Sequence, residues 1–275
     1  MLKRLSGFIL MITPIAGIAQ EWEVGVLGGI TNYNGDLNHQ FIVSEEINPG
    51  YSLFLRYNEN PYFTVKSSIS YGHVSASDEH AESEFRKERN LSFRSQILEF
   101  SVQGEWNIAG FKTTDKNLRT TPYLFGGLGV FGFKPKAKHN GEWVSLQPLG
   151  TEGQGSTKYN DREKYSVTQI SIPLGIGLKH AFNKNWSIGL EAGFRKTFTD
   201  YIDDVSSTYV ERKVLIATHG KLAGELADRS DEVTTEDPYS AGDQRGTVAG
   251  NDWYSFGGIT LSYTIVPSQC YNFTK

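Results

Sequence analysis

Apolar and polar residues alternate over most of this chain, and that two-residue period constrains the fold more than any other feature. Tyr51, Leu53, Leu55 and Tyr57 alternate with Ser52, Phe54 and Arg56. Phe63, Val65, Ile69 and Tyr71 alternate with Thr64, Lys66, Ser68 and Ser70, and Leu98, Phe100, Val102 and Trp106 with Glu99, Ser101, Gln103 and Glu105. The pattern returns in Ile170 to Leu178 and in Trp186 to Phe194, where Glu191 and Arg195 share the polar face with glycines. Successive side chains of a strand point to opposite faces, so each run predicts a β-strand with one apolar and one polar face. Trp22, Val24, Val26 and Ile30 predict a first strand, and Ile259, Leu261, Tyr263 and Ile265 a last one. A further strand from Tyr123 to Phe133 is so rich in glycine and aromatics that its two faces are ambiguous. The total is eight.

The connections sharpen the reading. Residues 58–61, 110–121 and 183–185 make short links, whereas 32–48, 75–90, 134–164 and 200–251 are long. Long and short alternate along the chain, the order produced by a meander with all its long loops at one end. Outer-membrane barrels have this asymmetry, with short periplasmic turns and longer extracellular loops. The expected fold is therefore all-β: an eight-stranded antiparallel up-and-down transmembrane β-barrel with long extracellular loops, one of them carrying a short helical segment. A secreted soluble barrel is the competing reading, and the two differ in which face points inward. Aromatics at strand ends (Tyr51, Tyr57, Phe63, Tyr71, Trp106, Trp186 and Phe194) favour apolar faces turned to lipid, with girdles at the interfaces. So do opposite charges on the polar faces, Arg56, Lys66 and Arg195 with Glu99, Glu105 and Glu191, which could pair in a narrow lumen. The 29 glycines, 14 tyrosines and 16 phenylalanines fit such a wall better than a mean hydropathy of -0.39 suggests, because only alternate strand residues need be apolar.

Lys3 and Arg4 precede an apolar run, and Ala16, Gly17 and Ala19 follow it. That order predicts a secretory signal peptide over residues 1–19, cut between Ala19 and Gln20, with the barrel domain over residues 20–275. With no cysteine near the cut, a lipoprotein anchor has no attachment point, and the single Cys270 has no intrachain partner.

An eight-stranded barrel is filled by its own side chains, so a general diffusion pore is not expected and function falls to the loops, the rims or the outer wall. Net charge -4, without a basic face, argues against nucleic acid. Six histidines are scattered without the serine and carboxylate spacing of a hydrolase, so no catalytic residues are expected. Asp78, Glu79, His80, Glu82 and Glu84, followed by Arg86, Lys87 and Arg89, read as a solvated charged loop, since an EF-hand's alternating acids and central glycine are missing. Asp200, Asp203 and Asp204 form a second acidic group where the seventh strand ends. Residues 205–227 carry an apolar stripe at helical spacing that Gly220 breaks or ends. No metal, cofactor or small-molecule substrate is expected.

Several segments occur as an ordered set: Tyr33-Asn34-Gly35-Asp36-Leu37 after the first strand, Thr121-Pro122-Tyr123-Leu124-Phe125-Gly126-Gly127 opening the fifth, and Pro148-Leu149-Gly150-Thr151-Glu152-Gly153-Gln154-Gly155 in the third long loop. Pro173-Leu174-Gly175-Ile176-Gly177 follows in the sixth strand, and Thr199-Asp200-Tyr201-Ile202-Asp203-Asp204-Val205-Ser206 after the seventh. In order and spacing the set resembles the PorG-like outer-membrane β-barrels associated with the type IX secretion system. The resemblance implies an outer-membrane component that anchors or positions a periplasmic ring of a lipoprotein and its partner, similar to PorK and PorN. The alternative is a general small barrel for envelope integrity, adhesion or surface recognition through its loops, with outer-membrane lipids around it in either case. A periplasmic ring would have to meet the short turns or the tail 267–275. Of these the 110–121 turn, with Lys112, Lys116 and Arg119, is the largest and most basic, and is the expected docking element; such a turn could equally contact lipid headgroups.

Overall fold

The computed structural model describes residues 21–38, 44–235, 239–247 and 250–266. The signal segment with its cut at Ala19 and Gln20, and the tail 267–275, lie outside the described residues.

The barrel strands are β1 (Glu21–Asn34), β2 (Asn48–Asn58), β3 (Phe63–Ser77), β4 (Ser92–Asn107), β5 (Thr120–His139), β7 (Thr168–Ala181), β8 (Trp186–Thr197) and β9 (Trp253–Ile265). Each pairs antiparallel with its neighbours, and the sheet closes where β9 returns to β1, from Trp22↔Ile265 to Asn34↔Trp253. The short β6 (Glu142–Ser145) pairs only with the far end of β5 and folds back outside the ring. Two of the short turns are set by asparagine. Asn60 Oδ1 accepts from the backbone N–H of Tyr62 and Phe63, and Asn183 Oδ1 from those of Asn185 and Trp186. Such local bonds favour a tight turn.

The apolar faces point outward. Val24, Leu53, Ile69, Phe100, Leu128, Ile176, Leu190 and Ile259, one from each barrel strand, are all at least half exposed. Exposed Trp22, Phe63, Trp106, Trp186 and Tyr263 ring the end with the short turns, and Tyr51, Tyr71 and Phe194 stand toward the other. An exterior belt of aliphatics between aromatic girdles is the surface of a protein solvated by lipid. The chain is an outer-membrane β-barrel of a Gram-negative bacterium, with its long loops outside the cell. A cation at the middle of that belt is accordingly costly. Leu128→Arg, at the residue of greatest exposure in the belt (66%), is expected to lower stability by about 2–4 kcal/mol. Chemical unfolding from lipid vesicles measures this, and a loss below about 1 kcal/mol would show that β5 does not face the hydrocarbon.

The structure settles the ambiguous fifth strand. Tyr123, Phe125, Phe131 and Phe133 point inward and Leu124, Leu128 and Val130 outward, so the lumen holds aromatics as well as charges. Glycines make room for them: a Cβ on Gly177 would collide with the Tyr123 ring, and one on Gly193 would stand 2.5 Å from Phe125 Cζ.

The helical expectation over 205–227 is corrected in part. Helices α2 (Arg212–His219) and α3 (Lys221–Ala227) form, split at Gly220 with φ of 90°. Residues 205–211 stay extended because their backbone is bonded elsewhere, Tyr209 N–H to the Asp243 carbonyl and Gly242 N–H to the Tyr209 carbonyl. The charged segment read as a solvated loop contains a helix, α1 (Glu84–Arg89), with Asp78 and Arg89 buried.

Candidate functional site

Inside the barrel the charges are matched. Arg56 Nε donates to Glu105 Oε1 at 2.8 Å and Lys179 Nζ to Glu105 Oε2 at 3.0 Å. Lys66 Nζ lies 2.6 Å from each Glu191 oxygen, and Tyr123 Oη donates to Glu191 at 2.8 Å. The Arg56 guanidinium also reaches Glu23 at 3.7 Å and Glu191 at 3.6 Å. Toward the outer end Arg195 stands 3.5 Å from Glu99, whose other oxygen accepts from Tyr254 at 2.6 Å and Ser171 at 3.0 Å. The six charges singled out from the sequence thus meet in the lumen. Glu23 and Lys179 complete the set and lay on the same polar faces. Aromatic rings separate the layers, with Arg56 4.4 Å from the Phe54 ring centre and Arg195 4.8 Å from that of Phe256. Buried charges are tolerated when paired and hydrogen-bonded; Arg195 Nε and Glu99 Oε1 are held by charge alone, without a hydrogen bond.

The periplasmic mouth is floored by the 108–119 turn. Phe111 and Thr113 are buried, Phe111 N–H donates to the Pro61 carbonyl at 2.7 Å, and Thr113 Oγ1 to the Lys184 carbonyl at 2.7 Å. The Phe111 ring centre lies 4.7 Å from Lys179 Nζ. The turn's length therefore serves closure of the barrel, which its basic residues did not announce. Of those residues Lys116 is exposed, while Lys112 and Arg119 are half-buried.

The outer mouth is closed by the loops. Tyr33, Leu37, Val74, Leu91, Phe93, Ile97, Phe131, Phe133, Leu146, Ile202, Val205, Leu226 and Tyr254 form one buried apolar cluster that joins the upper lumen to the loops. Over it sits a polar network that gathers three of the sequence segments quoted above. Tyr33 Oη lies 2.7 Å from both Asp203 Oδ2 and Asp252 Oδ1. Asp203 also accepts from Val205 N–H, Asp252 from Ile202 N–H, and Asp36 from Thr247 N–H. Asp204 accepts from Thr151 and Tyr165, and Glu152 from Ser206 N–H, Ser207 and Arg245. Gly35 sits where a Cβ would collide with Asp252 and Tyr33. Asp200 is half-buried nearby. Sequence reasoning found Asp36, Asp200, Asp203 and Asp204 but missed Asp252 and Arg245, which lie isolated in a long loop without a pattern to mark them.

A phenol carries one hydrogen, so Tyr33 bonds both carboxyls only when one of them carries a proton. Burial and the neighbouring carboxylates push the same way: Asp252 is raised to about 8, Asp203 well above its usual value, and Asp200 to about 8. Asp204, also buried but beside Arg245, is raised only to about 6. The cluster thus stores protons. Among the described residues no group of His, Cys, Asp or Glu is arranged to hold a metal ion. The histidines are dispersed: His139 faces Glu225 at 3.6 Å, His180 Nδ1 meets Thr120 Oγ1 at 2.6 Å, and His219 meets the Gln154 carbonyl at 3.0 Å.

Beside the network a cleft of about 730 Å³ opens outward, lined by Asp36, Glu45, Glu46, His80, Phe85, Arg86, Arg89 and Thr247. It brings together loops distant in sequence, and Arg89, bonded to Asp78, to the Arg245 carbonyl and to the Asp36 carbonyl, fixes its wall.

The sequence family described as "Domain of unknown function (DUF6089)" matches residues 3–222. No curated protein matches the sequence. Among solved structures, the chain is similar to the attachment invasion locus protein Ail of Yersinia pestis, seen in complex with the heparin analogue sucrose octasulfate, at 10% identity and a TM-score of 0.42, covering 90% of this chain and 100% of that one. The N-terminal β-barrel domain of Pseudomonas aeruginosa OprF is similar at 10% identity and a TM-score of 0.38, covering 89% and 97%. Neisserial surface protein A is similar at 7% identity and a TM-score of 0.40, covering 90% and 97%.

Proposed function

The chain belongs to the DUF6089 family, and from that premise and its closed barrel we propose that it is a non-enzymatic surface-recognition and envelope protein that acts through its folded external cap. The observation that supports this best is the cap itself. The long loops are not independent arms; they share one apolar cluster and one hydrogen-bonded network, and hold an outward-facing cleft in fixed shape. Preorganised surfaces lose less entropy on binding. Among the described residues the floor turn covers one mouth and the loops the other, which supports a role at the surface over transport.

A second reading, an anchor for the periplasmic ring of a type IX secretion machine with subunits similar to PorK and PorN, is supported by the sequence resemblance and by exposed Lys116 on the floor turn. The two readings place function at opposite ends of the barrel, so one set of strains separates them. A deletion strain is complemented with the wild-type chain, with a cleft variant (Glu45→Lys, His80→Glu and Phe85→Asp) or with a floor variant (Lys112→Gln, Lys116→Gln and Arg119→Gln). Adhesion, permeability to a large antibiotic and protein secretion are then scored. The recognition reading expects changed adhesion or permeability that the floor variant restores and the cleft variant does not, with secretion intact throughout. Lost secretion in the deletion strain, with a ring subunit recovered from detergent-solubilised wild-type membranes, would overturn it in favour of the anchor.

A further inference from the structure

Every lumen cation described above has a carboxylate within 4.0 Å, whereas one group of cations on the outer wall has none among the described residues. Arg94 on β4 and Lys134, Lys136 and Lys138 on β5 occupy successive outward positions of paired strands, with Arg94 directly opposite Lys136 and Gln96 opposite Lys134. Like charges directly opposite on one face of a sheet repel. The Arg94 Nε is buried and has no hydrogen-bond acceptor, and its guanidinium carbon lies 6.0 Å from the ring centre of Trp143, half exposed on β6. Four adjacent cations without a counter-charge, one with an unsatisfied donor, make a site that is electrostatically incomplete by itself.

Its height on the wall identifies what completes it. On β5 the outward positions run Leu128, Val130, Gly132, Lys134, Lys136 and Lys138, and on β4 they run Phe100, Leu98, Gln96 and Arg94. Lys134 and Arg94 each stand four residues, roughly 13 Å along a strand, beyond the last aliphatic of their row. Tyr71 of the girdle lies opposite Leu98 and accepts from Gln96 Nε2 at 3.1 Å. The cations therefore lie just outside the aromatic girdle, at the level of the outer leaflet's headgroups. We propose that Arg94, Lys134, Lys136 and Lys138 form a binding site for the phosphate of an acylated outer-leaflet lipid. The guanidinium and ammonium groups take the phosphate oxygens, Trp143 covers the headgroup, and the acyl chains lie against the Leu98 and Leu128 wall. The apolar wall directly below favours a lipid phosphate over a free anion.

The test uses the full chain in phosphatidylcholine nanodiscs titrated with bisphosphorylated lipid A, with the same lipid A after removal of its phosphates, and with inorganic phosphate. The variant Arg94→Gln, Lys134→Gln, Lys136→Gln, Lys138→Gln is expected to bind the phosphorylated lipid at least about tenfold more weakly than wild type. Exchanging each cation for the other type, Arg94→Lys with three Lys→Arg, is expected to keep most of the binding. Folding is followed by heat-modifiable gel migration. If the fourfold variant does not fold, Lys134→Gln and Lys138→Gln singly are expected to weaken binding on the order of fivefold each. Equal affinity of wild type and the glutamine variants, or equal binding of the dephosphorylated lipid, overturns the proposal. Inorganic phosphate competing at the affinity of the lipid overturns the lipid as its occupant.

Discussion

Glu105→Ala is expected to lower the stability of the barrel by about 3–5 kcal/mol, because it leaves two buried cations without their carboxylate. Arg56 and Lys179 both spend their shortest ion pair on Glu105, and all three side chains are 1% exposed or less. At that depth of burial neither cation can turn to water. Arg56 retains weaker contacts with Glu23 and Glu191, at 3.7 and 3.6 Å, so Lys179 carries the larger share of the damage. Adding Lys179→Met to Glu105→Ala removes one orphaned charge, and is expected to restore part of the loss. The measurement is denaturant unfolding from lipid vesicles followed by tryptophan fluorescence, with an unchanged slope showing that the same surface is exposed. A loss below about 1 kcal/mol would mean that water reaches the lumen and that the barrel is not sealed.

Raising the pH from about 4 to 8 is expected to loosen the external cap while leaving the barrel closed. A carboxyl whose folded pKa lies above its usual value of 3.8 holds a proton that it gives up when the cap opens. Between about pH 4 and 8 the open cap therefore binds fewer protons, and stability falls as pH rises through that window. Each proton released weakens the cap by about 1.4 kcal/mol per pH unit. Asp252 and Asp203 share Tyr33, with Asp36 adding negative charge; Arg245, held on Glu152, is the compensating cation near Asp204. Protection of the Ile202 and Val205 amides, which donate to Asp252 and Asp203, reports the opening by hydrogen exchange once the intrinsic rates at each pH are divided out. Asp203→Asn is expected to flatten the profile. Its carbonyl can keep the Val205 bond and its amide can donate to Tyr33 Oη, so the geometry no longer needs a stored proton. Constant protection from pH 5 to 9 in the wild type would refute the shared proton.

How far the candidate sites were legible follows from how far each interaction reaches along the chain. The lumen charges were readable because a strand's inward face is fixed by parity: once Leu53 and Leu55 face lipid, Arg56 faces the lumen. Which acid each cation takes was not, since Lys66 and Glu191 are 125 residues apart and meet only across a closed ring. The fifth strand resisted reading because both of its faces are apolar or glycine, Leu124, Leu128 and Val130 on one and Tyr123, Phe125, Phe131 and Phe133 on the other, and only the space above Gly177 and Gly193 shows which side receives the rings. The charged segment at 78–89 was read as solvated because local sequence cannot show that Asp78 and Arg89 turn inward against residues 36 and 245.

The sequence by itself determined eight strands, each with one apolar and one polar face, joined by alternating long and short connections, since period and loop length are local properties that any fold must satisfy; aromatics at strand ends favoured the apolar side outward, and the exposed aliphatic belt decided it. It also marked Asp36, Asp203 and Asp204 as polar groups where strands end. Only the tertiary structure decided that the loops form one cap, that Phe111 floors the barrel, and that four cations on β4 and β5 stand together without a counter-charge. Those outcomes depend on strand register and ring closure, which bring distant residues within a few ångströms of each other, and no pattern along a single strand encodes that distance.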